Sequence, residues 1–195
     1  MIAGIILAAG ASSRMGSPKA LLEYRGETFI GRLVRLLSKV CEPVIVVLGY
    51  HAAAIGPGIN GQAIIVINPA PERGQLSSLQ TALCALPADA EGFLFAPVDS
   101  PAVAPETIER LVGEFRRRDP AMLLVIPRYR GKRGHPVFAA RTIAGEILAL
   151  PGAGQARDVI HHRIAETVYI DVDDPGILID VDDPEGYRLL MQDSR

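Results

Sequence analysis

The chain has 195 residues, of which 49% are hydrophobic and 22% are charged, and its formal net charge is −2 at neutral pH. Such a chain can bury a full core, which excludes an intrinsically disordered protein, and its charge argues against a nucleic-acid or membrane-surface partner, since both favour a basic face. One domain spanning residues 1–195 is expected, because domains usually contain roughly 100–200 residues.

Short apolar segments alternate with amphipathic patterns along the first two thirds of the chain. Strands are predicted at residues 2–7, 44–48, 63–67, 93–96 and 122–126, which are rich in Ile, Val and Leu. Helices are predicted between them, where apolar residues recur at helical spacing over 33–37, 76–86 and 108–115. The strands show little alternation, which is typical of strands buried on both faces of a sheet.

The pattern changes beyond residue 127. Residues 128–134 are basic and contain glycine, which predicts a loop, and a short strand is predicted at 135–138 with Pro136 at its start or at a sheet edge. The tail carries the sequence Asp-Val-Asp-Asp-Pro at 171–175 and again at 180–184. We interpret this near repeat as two strand ends of one hairpin-like region.

The order of these elements predicts an α/β fold of three layers. It is Rossmann-like, with a mostly parallel twisted sheet and helices on both faces. Ligands of such sheets bind beyond the carboxyl ends of the strands. Loops 8–19, 68–78 and 97–104 are therefore the candidate ligand-binding loops, because each directly follows a predicted strand.

Cysteine usage and the N-terminal segment predict a cytoplasmic location. Cys41 and Cys84 lie among apolar residues and are expected to be free, buried thiols in a reducing compartment rather than a disulfide. No Cys-x-x-C motif is present, which argues against a zinc site. The apolar residues 2–9 are too few to span a membrane and follow no basic segment, unlike a signal peptide.

The loop after the first strand has the composition of a phosphate-binding loop. Small residues such as Ala9 and Gly10 let backbone N–H groups approach an anion, and Arg14 and Lys19 add positive charge. The spacing matches neither a Walker A loop nor Gly-x-Gly-x-x-Gly. By itself the loop is equally compatible with an ordinary strand-to-helix turn of an α/β protein.

Acidic residues suggest a magnesium site. Asp99 follows a buried strand between two prolines, and Asp180 and Asp182 in the tail could supply a second carboxylate. The alternatives are helix caps; Asp183 followed by Pro184 fits an N-cap and the first helical residue.

The histidines indicate a catalytic or binding role less clearly than the acidic residues do. His135 could be a general base, a phosphate ligand or a packed side chain, and the basic residues 130–133 beside it could contact an anionic substrate or be solvated. His51 and the pair at 161–162 are interpreted as structural. No Gly-x-Ser-x-Gly motif is present, which disfavours hydrolase chemistry.

Taken together, the motifs resemble the MobA-like nucleotidyltransferases. The signature is carried by Leu7, Ala8, Ala9, Gly10, Arg14, Met15, Gly16 and Lys19, and the metal loop by Val98, Asp99, Ser100 and Pro101. Gly134, His135, Pro136 and Val137, together with the tail from Ile179 to Glu185, resemble the molybdenum cofactor cytidylyltransferase branch. Asn68, Gly74, Ser77 and Ser78 fit the nucleobase loop of the family.

The resemblance implies a fold of the nucleotide-diphospho-sugar transferase type and a Mg²⁺-dependent transfer of a nucleoside monophosphate to a phosphorylated acceptor. It assigns catalysis to Arg14, Lys19 and Asp99. Nucleotide binding is assigned to these two basic residues with Leu7, Ala8, Ala9, Gly10, Ser12, Asn68, Gly74, Ser77 and Ser78. The metal is assigned to Asp99 with Asp182 or Asp180, and the acceptor to Gly134, His135, Pro136 and Arg157.

Substrate identity is implied less directly. Ala9 stands where the guanylyltransferase branch carries Gly, which favours CTP, and the branch resemblance favours molybdopterin as the acceptor, with a molybdoenzyme or its chaperone as a partner. Asp183 and Gly186 depart from the tail of the branch, and residues 152–157 match its Gly-Asp-x-Gly-Ala-Arg pattern only in part. A guanylyltransferase, a sugar-phosphate nucleotidyltransferase and a non-catalytic nucleotide-binding regulatory module therefore remain alternatives.

Overall fold

A computed structural model describes residues 1–59 and 61–192. Ten strands occur in the described part of the chain: β1 (Ile2–Ala8), β2 (Glu23–Tyr24), β3 (Glu27–Thr28), β4 (Val44–Leu48), β5 (Ile64–Ile67), β6 (Gly92–Pro97), β7 (Leu124–Tyr129), β8 (Lys132–Arg133), β9 (Val137–Ala140) and β10 (Thr167–Asp171). Every predicted strand is found, with boundaries shifted by at most three residues. The largest shift is at β7, which continues into the basic segment that had been predicted as a loop.

Seven α-helices occur in the same ranges: α1 (Phe29–Ser38), α2 (Ala52–Ile55), α3 (Gln75–Cys84), α4 (Pro105–Arg117), α5 (Arg141–Leu148), α6 (Ala156–His162) and α7 (Pro184–Gln192). The three predicted helices correspond to α1, α3 and α4. Among the helices of the described residues, none has both the length and the apolar character that crossing a membrane would demand.

The main sheet is mixed but mostly parallel, in the order β10-β7-β9-β6-β1-β4-β5, with β8 paired to β7. Strands β6, β1, β4 and β5 are parallel neighbours, so their carboxyl ends lie along one edge of the sheet. Strand β9 is antiparallel to both β6 and β7 and lies inside the sheet. Pro136 therefore precedes an interior strand, which selects the strand-start interpretation over the sheet-edge one.

The two faces of the sheet bury separate apolar layers, and β1 shows why. Its residues alternate between the layers: Ile2 and Ile6 pack on one side, and Ala3 and Ile5 on the other. The first layer is covered by α1 and α4, and the second by α3, α5 and α6. This confirms the predicted three-layer, Rossmann-like α/β fold.

The tail departs from the predicted hairpin-like arrangement. The first Asp-Val-Asp-Asp-Pro segment ends β10, which is parallel to β7, whereas the second lies in coil before α7. The hairpin prediction was wrong because both copies serve helix starts instead. Asp183 accepts a hydrogen bond from the Gly186 N–H at 2.8 Å, which confirms it as the N-cap of α7.

The first copy of the repeat, at residues 171–175, holds the start of helix α4. Buried Asp174 accepts hydrogen bonds from the Ala104 N–H (2.8 Å) and the Thr107 hydroxyl (2.7 Å) at the start of α4. Ala104 has no side chain that could cap this helix, so a tail carboxylate takes that role. The loop between β6 and α4, which contains Asp99, is thereby tied to the tail.

The two cysteines differ in exposure. Both are free, but Cys41 is buried whereas Cys84 is exposed, so the prediction of two buried thiols was wrong for Cys84, which lies at the last turn of α3. Burial raises the pKa of the Cys41 thiol to about 12. Thiol reagents react with the thiolate form of cysteine. Cys41 is therefore protected by its burial and by its raised pKa.

This difference gives a testable result. We expect the native protein to react with one equivalent of an aromatic disulfide reagent at pH 8, and the Cys84→Ser variant to react with none until it is unfolded. Two fast-reacting thiols in the native protein would contradict the burial of Cys41.

Candidate active site

The candidate site is a cavity of about 250 Å³ at the carboxyl edge of the parallel strands. Much of its wall is formed by the loops after β1, β5 and β6, which were the predicted ligand-binding loops, and residues after β4 and in the tail complete it. Of the residues predicted for nucleotide or metal binding, Leu7, Ala8, Ala9, Gly10, Ser12, Arg14, Lys19, Gly74, Ser78, Asp99 and Asp182 line it. Most of the predicted set is therefore brought together in one place.

The loop after β1 presents free backbone donors. Within the described chain, the amides of residues 10–14 donate to no protein acceptor. The turn is closed by a hydrogen bond from the Met15 N–H to the Ser12 carbonyl (2.9 Å), with Ser12 in the left-handed region at φ 51°. A run of unpaired amides beside a cavity is a binding surface for an anion such as a phosphate chain.

Ser12 also fixes the start of the segment that carries Lys19. Its hydroxyl accepts a hydrogen bond from the Lys19 N–H at 3.0 Å. The amide-rich turn and the lysine thus form one unit. The structure assigns Ser12 a supporting contact, while its predicted contact with nucleotide stays a prediction.

Lys19 joins two carboxylates that come from distant parts of the chain. Its Nζ lies 3.2 Å from Asp99 Oδ2 and 2.7 Å from Asp182 Oδ1, and the lysine side chain is only 12% exposed. Arg14 contacts the other oxygen of Asp182 at 3.2 Å but is 65% exposed. Lys19 is therefore held in the site, whereas Arg14 lies at its mouth.

Asp99 is fixed by the backbone around it. The Val181 N–H donates to the Asp99 carbonyl at 2.8 Å, which joins the tail to the loop after β6. The buried Arg32 donates to the carbonyls of Pro101 (2.8 Å) and Val103 (3.2 Å) in the same loop. Such charge-assisted bonds in a buried setting hold the loop rigidly. The Asp99 side chain is therefore presented from a fixed position.

Asp180 has a different partner. Its Oδ1 accepts a hydrogen bond from the Ser100 hydroxyl at 2.6 Å, and it makes no contact with Lys19. Sequence analysis left the second carboxylate open between Asp180 and Asp182. The geometry favours Asp182, since it is the one that faces the same cation as Asp99.

The two carboxylates around Lys19 have pKa values shifted in opposite directions. Burial raises the pKa of Asp99, and the ammonium of Lys19 only partly opposes this. The hydrogen bond from Lys19 lowers the pKa of Asp182, with burial opposing and Arg14 adding to the effect. The difference follows from exposure, because the Asp99 side chain is 24% exposed and that of Asp182 is 50% exposed.

These residues fit a divalent cation. Asp99 and Asp182 already direct oxygens toward one positive centre, the Lys19 ammonium, at hydrogen-bond distances. Mg²⁺ is commonly held by one or two carboxylates, with water and substrate phosphates completing its octahedron. No group of three or more acidic, His or Cys side chains suited to a metal occurs among residues 1–59 and 61–192, so the remaining ligands would have to come from substrate and water.

The predicted nucleobase loop is braced internally. Buried Asn68 donates from Nδ2 to the hydroxyls of Ser77 (2.9 Å) and Ser78 (3.1 Å), and its Oδ1 accepts from the Ala70 N–H (2.9 Å). Ser78 lines the cavity, whereas Asn68 and Ser77 lie behind it. Their geometry shapes the loop before α3, and a direct contact with the base stays a prediction.

Residues 134–136 do not line this cavity. A side chain at Gly134 would collide with the Ile177 carbonyl, and the His135 N–H donates to that same carbonyl at 3.0 Å. The His135 ring packs edge-on against Phe95, and its Nδ1 is buried with no partner in the described structure. Burial lowers the pKa of His135, while Asp180 and Asp99 oppose the shift. The His135 ring is thus packed against its neighbours.

The four residues predicted to bind the acceptor do not lie in one place. Gly134, His135 and Pro136 line neither this cavity nor the neighbouring one. Arg157 lines a second cavity of about 410 Å³, which shares Leu7 and Gln75 with the first. Acceptor binding stays a prediction for all of these residues, and the geometry favours it at Arg157.

His51, interpreted from the sequence as structural, makes a contact at the site that no motif had indicated. Its Nε2 lies 2.9 Å from the Ala11 carbonyl, and the side chain lines the first cavity. It thereby joins the loop after β4 to the amide-rich turn. The available signal was its position just beyond the carboxyl end of a predicted strand, which is the same criterion that selected the other loops.

An anion-binding turn and a carboxylate pair facing one cavity, at the carboxyl edge of a parallel sheet, define an α/β protein suited to nucleotide phosphates and a cation. Comparison with known proteins agrees. The model of the MobA-like NTP transferase domain matches residues 4–168, and the chain belongs to this family of nucleotidyltransferases. The family resemblance read from the sequence motifs is confirmed.

Individual relatives carry different names. The chain is 25% identical to the molybdenum cofactor cytidylyltransferase of Escherichia coli K12, over 94% of this chain and 92% of that protein. It is 33% identical to nicotine blue oxidoreductase of Paenarthrobacter nicotinovorans, over 97% and 96% of the two chains. It also resembles the crystal structure of Rv0371c from Mycobacterium tuberculosis in complex with manganese, with a TM-score of 0.79, 29% identity and 98% of each chain covered.

Proposed function

We propose that this chain is a Mg²⁺-dependent cytidylyltransferase that transfers CMP from CTP to molybdopterin and releases pyrophosphate. The observation that carries the proposal is the placement of free amides and of the Asp99–Lys19–Asp182 cluster in one cavity. The similarity to a molybdenum cofactor cytidylyltransferase over nearly the full length supports the nucleotide and the acceptor. The manganese complex of a relative supports the use of a divalent cation.

The proposed reaction needs no general base to activate the acceptor. An oxygen of the acceptor phosphate attacks the α-phosphorus of CTP in line, and a new P–O bond forms. The bond from the α-phosphorus to the oxygen that bridges to the β-phosphate breaks, and pyrophosphate leaves with the electron pair. Since a phosphate monoester is largely ionised at neutral pH, no proton has to be removed from the acceptor. This agrees with the position of His135, which is buried and lines neither cavity.

Positioning and charge compensation are then the main tasks of the protein. In this proposal the amides of residues 10–14 hold the triphosphate, with Arg14 at the open end. Asp99 and Asp182 hold Mg²⁺, which when bound neutralises charge on the phosphates and the leaving pyrophosphate. Lys19 moves from its carboxylate partners toward phosphate oxygens. Leu7, Ala8 and Ser78 contact the nucleobase, with Asn68 and Ser77 shaping their loop.

Nucleotide choice is tested by thermal unfolding in the presence of each nucleoside triphosphate with Mg²⁺. A ligand at about 100 times its Kd adds roughly 2.7 kcal/mol to the free energy of unfolding. We expect the largest shift with CTP, followed by pyrophosphate release that requires both CTP and molybdopterin. A larger shift with GTP would assign the chain to guanylyl transfer, and release with sugar phosphates would replace the acceptor.

A second candidate function is an oxidoreductase, favoured by the 33% identity to nicotine blue oxidoreductase over nearly both full lengths. Such an enzyme would pass a hydride from a reduced nicotinamide to a dye, with a proton taken up from water. The discriminating assay is oxidation of NADPH or NADH in the presence of a quinoid dye. Dye reduction at a useful rate, with no pyrophosphate release from any triphosphate, would replace the transferase proposal.

A further inference from the structure

The second cavity carries positive charge that no protein group neutralises. Arg73 and Arg157 both line it, and its lining contains no acidic side chain. Neither arginine makes a side-chain hydrogen bond or an ion pair with any described residue. The whole chain has a net charge of −2, so two unpaired guanidinium groups facing one cavity are a local feature. An anion in this cavity would meet two guanidinium groups that have no partner among the described residues.

One wall of this cavity is apolar, while Gln75 and Gln155 are polar residues of its lining. Leu76, Leu79 and Phe95 form that wall, and all three belong to the buried layer between the sheet and its helices. A site with two guanidinium groups and an aromatic wall suits a molecule with an anionic group and a flat or apolar body. Guanidinium groups bind phosphate oxygens in a bidentate manner, which gives geometric selectivity as well as charge.

The position of Arg73 depends on a glycine in a distant loop. A Cβ built at Gly152 would lie 2.6 Å from the terminal nitrogen of Arg73 and within 3.6 Å of two further atoms of the guanidinium group. The bare backbone at Gly152 therefore leaves the space that the guanidinium occupies. The glycine has no positive φ, so its role here is one of space and not of backbone conformation.

We propose that Arg73 is a specificity-determining residue which, with Arg157, binds a phosphate group of the acceptor in the second cavity, and that Gly152 keeps Arg73 in place. That the bound anion is the acceptor depends on the proposed function. The site itself follows from the charge and shape of the cavity. The shared wall at Leu7 and Gln75 brings the bound molecule next to the nucleotide cavity.

The test is a calorimetric titration of the full-length protein with phenyl phosphate, without turnover. Arg73→Gln is expected to weaken binding about tenfold, because a lost charge-assisted pair is worth at least roughly one decade in affinity. Gly152→Ala is expected to act similarly, since its methyl group displaces only the far end of a flexible side chain. The matched control is Arg110→Gln, which removes an exposed arginine on α4 that lines neither cavity.

A second titration separates this site from the nucleotide site. Saturating CTP with Mg²⁺ is expected to leave phenyl phosphate bound, and neutral phenol is expected to show no difference between wild type and Arg73→Gln. Equal affinities for phenyl phosphate in wild type and Arg73→Gln, or displacement by CTP, would overturn the inference. If the titrations succeed while no triphosphate supports pyrophosphate release, the proposed function fails and the anion site stands.

Discussion

Asp99→Asn is expected to lower kcat for pyrophosphate release by about a thousandfold while the protein remains folded. Asparagine keeps the size of the side chain but removes the charge that a divalent cation needs. The loop itself is held by Arg32 and by the Val181 N–H, neither of which contacts the Asp99 side chain. The loss should therefore appear in turnover and in metal dependence, with an unchanged circular dichroism spectrum.

The matched comparison is Asp180→Asn, which removes a nearby carboxylate outside the Asp99–Lys19–Asp182 cluster. Asp180 is bound to Ser100 and does not contact Lys19, so a much smaller loss is expected. Steady-state rates over a range of Mg²⁺ and Mn²⁺ concentrations distinguish the two variants. Near-normal kcat in Asp99→Asn, or an equal loss in Asp180→Asn, would contradict the assignment of Asp99 and Asp182 as the metal pair.

The sheet could be predicted from the sequence because its signal is local. Each central strand is a short, uninterrupted apolar run, and the adjoining loops follow from the rule that ligands bind at the carboxyl ends of parallel strands. The antiparallel insertion of β9 between β6 and β7 could not be predicted in this way. A strand of four residues carries no information on its own direction, which depends on how the connection after β7 returns the chain to the sheet.

The sequence predicted many of the residues that line the site, but it did not predict which of their side chains contact each other. Lys19 was assigned to phosphate, yet in this structure it bridges Asp99 and Asp182, which lie 80 and 163 positions further along the chain. Arg73 carried no motif, and its relation to Gly152 exists only in three dimensions. His135 matches a family motif and lines neither cavity, so its predicted contact with the acceptor stays a prediction.

Lys19→Met is expected to move two measurements in opposite directions. Methionine keeps most of the apolar stem and removes the ammonium that lies between the carboxylates, which leaves Asp182 with only the exposed Arg14 as a cationic partner and removes the cationic partner of Asp99. Binding of Mn²⁺ without nucleotide should therefore strengthen by about tenfold, since a competing cation has gone. In contrast, kcat/KM for CTP should fall by about a hundredfold, because the same ammonium is needed on the triphosphate.

Electron paramagnetic resonance of free Mn²⁺ measures the first effect and pyrophosphate release the second. Lys132→Met is the matched control, since Lys132 is exposed on β8 and should change neither. A purely structural role of Lys19 would weaken metal binding and turnover together, because the carboxylates would lose their arrangement. Opposite changes are therefore the specific signature of a lysine that occupies the cation position in the free protein and transfers to phosphate when the substrate binds.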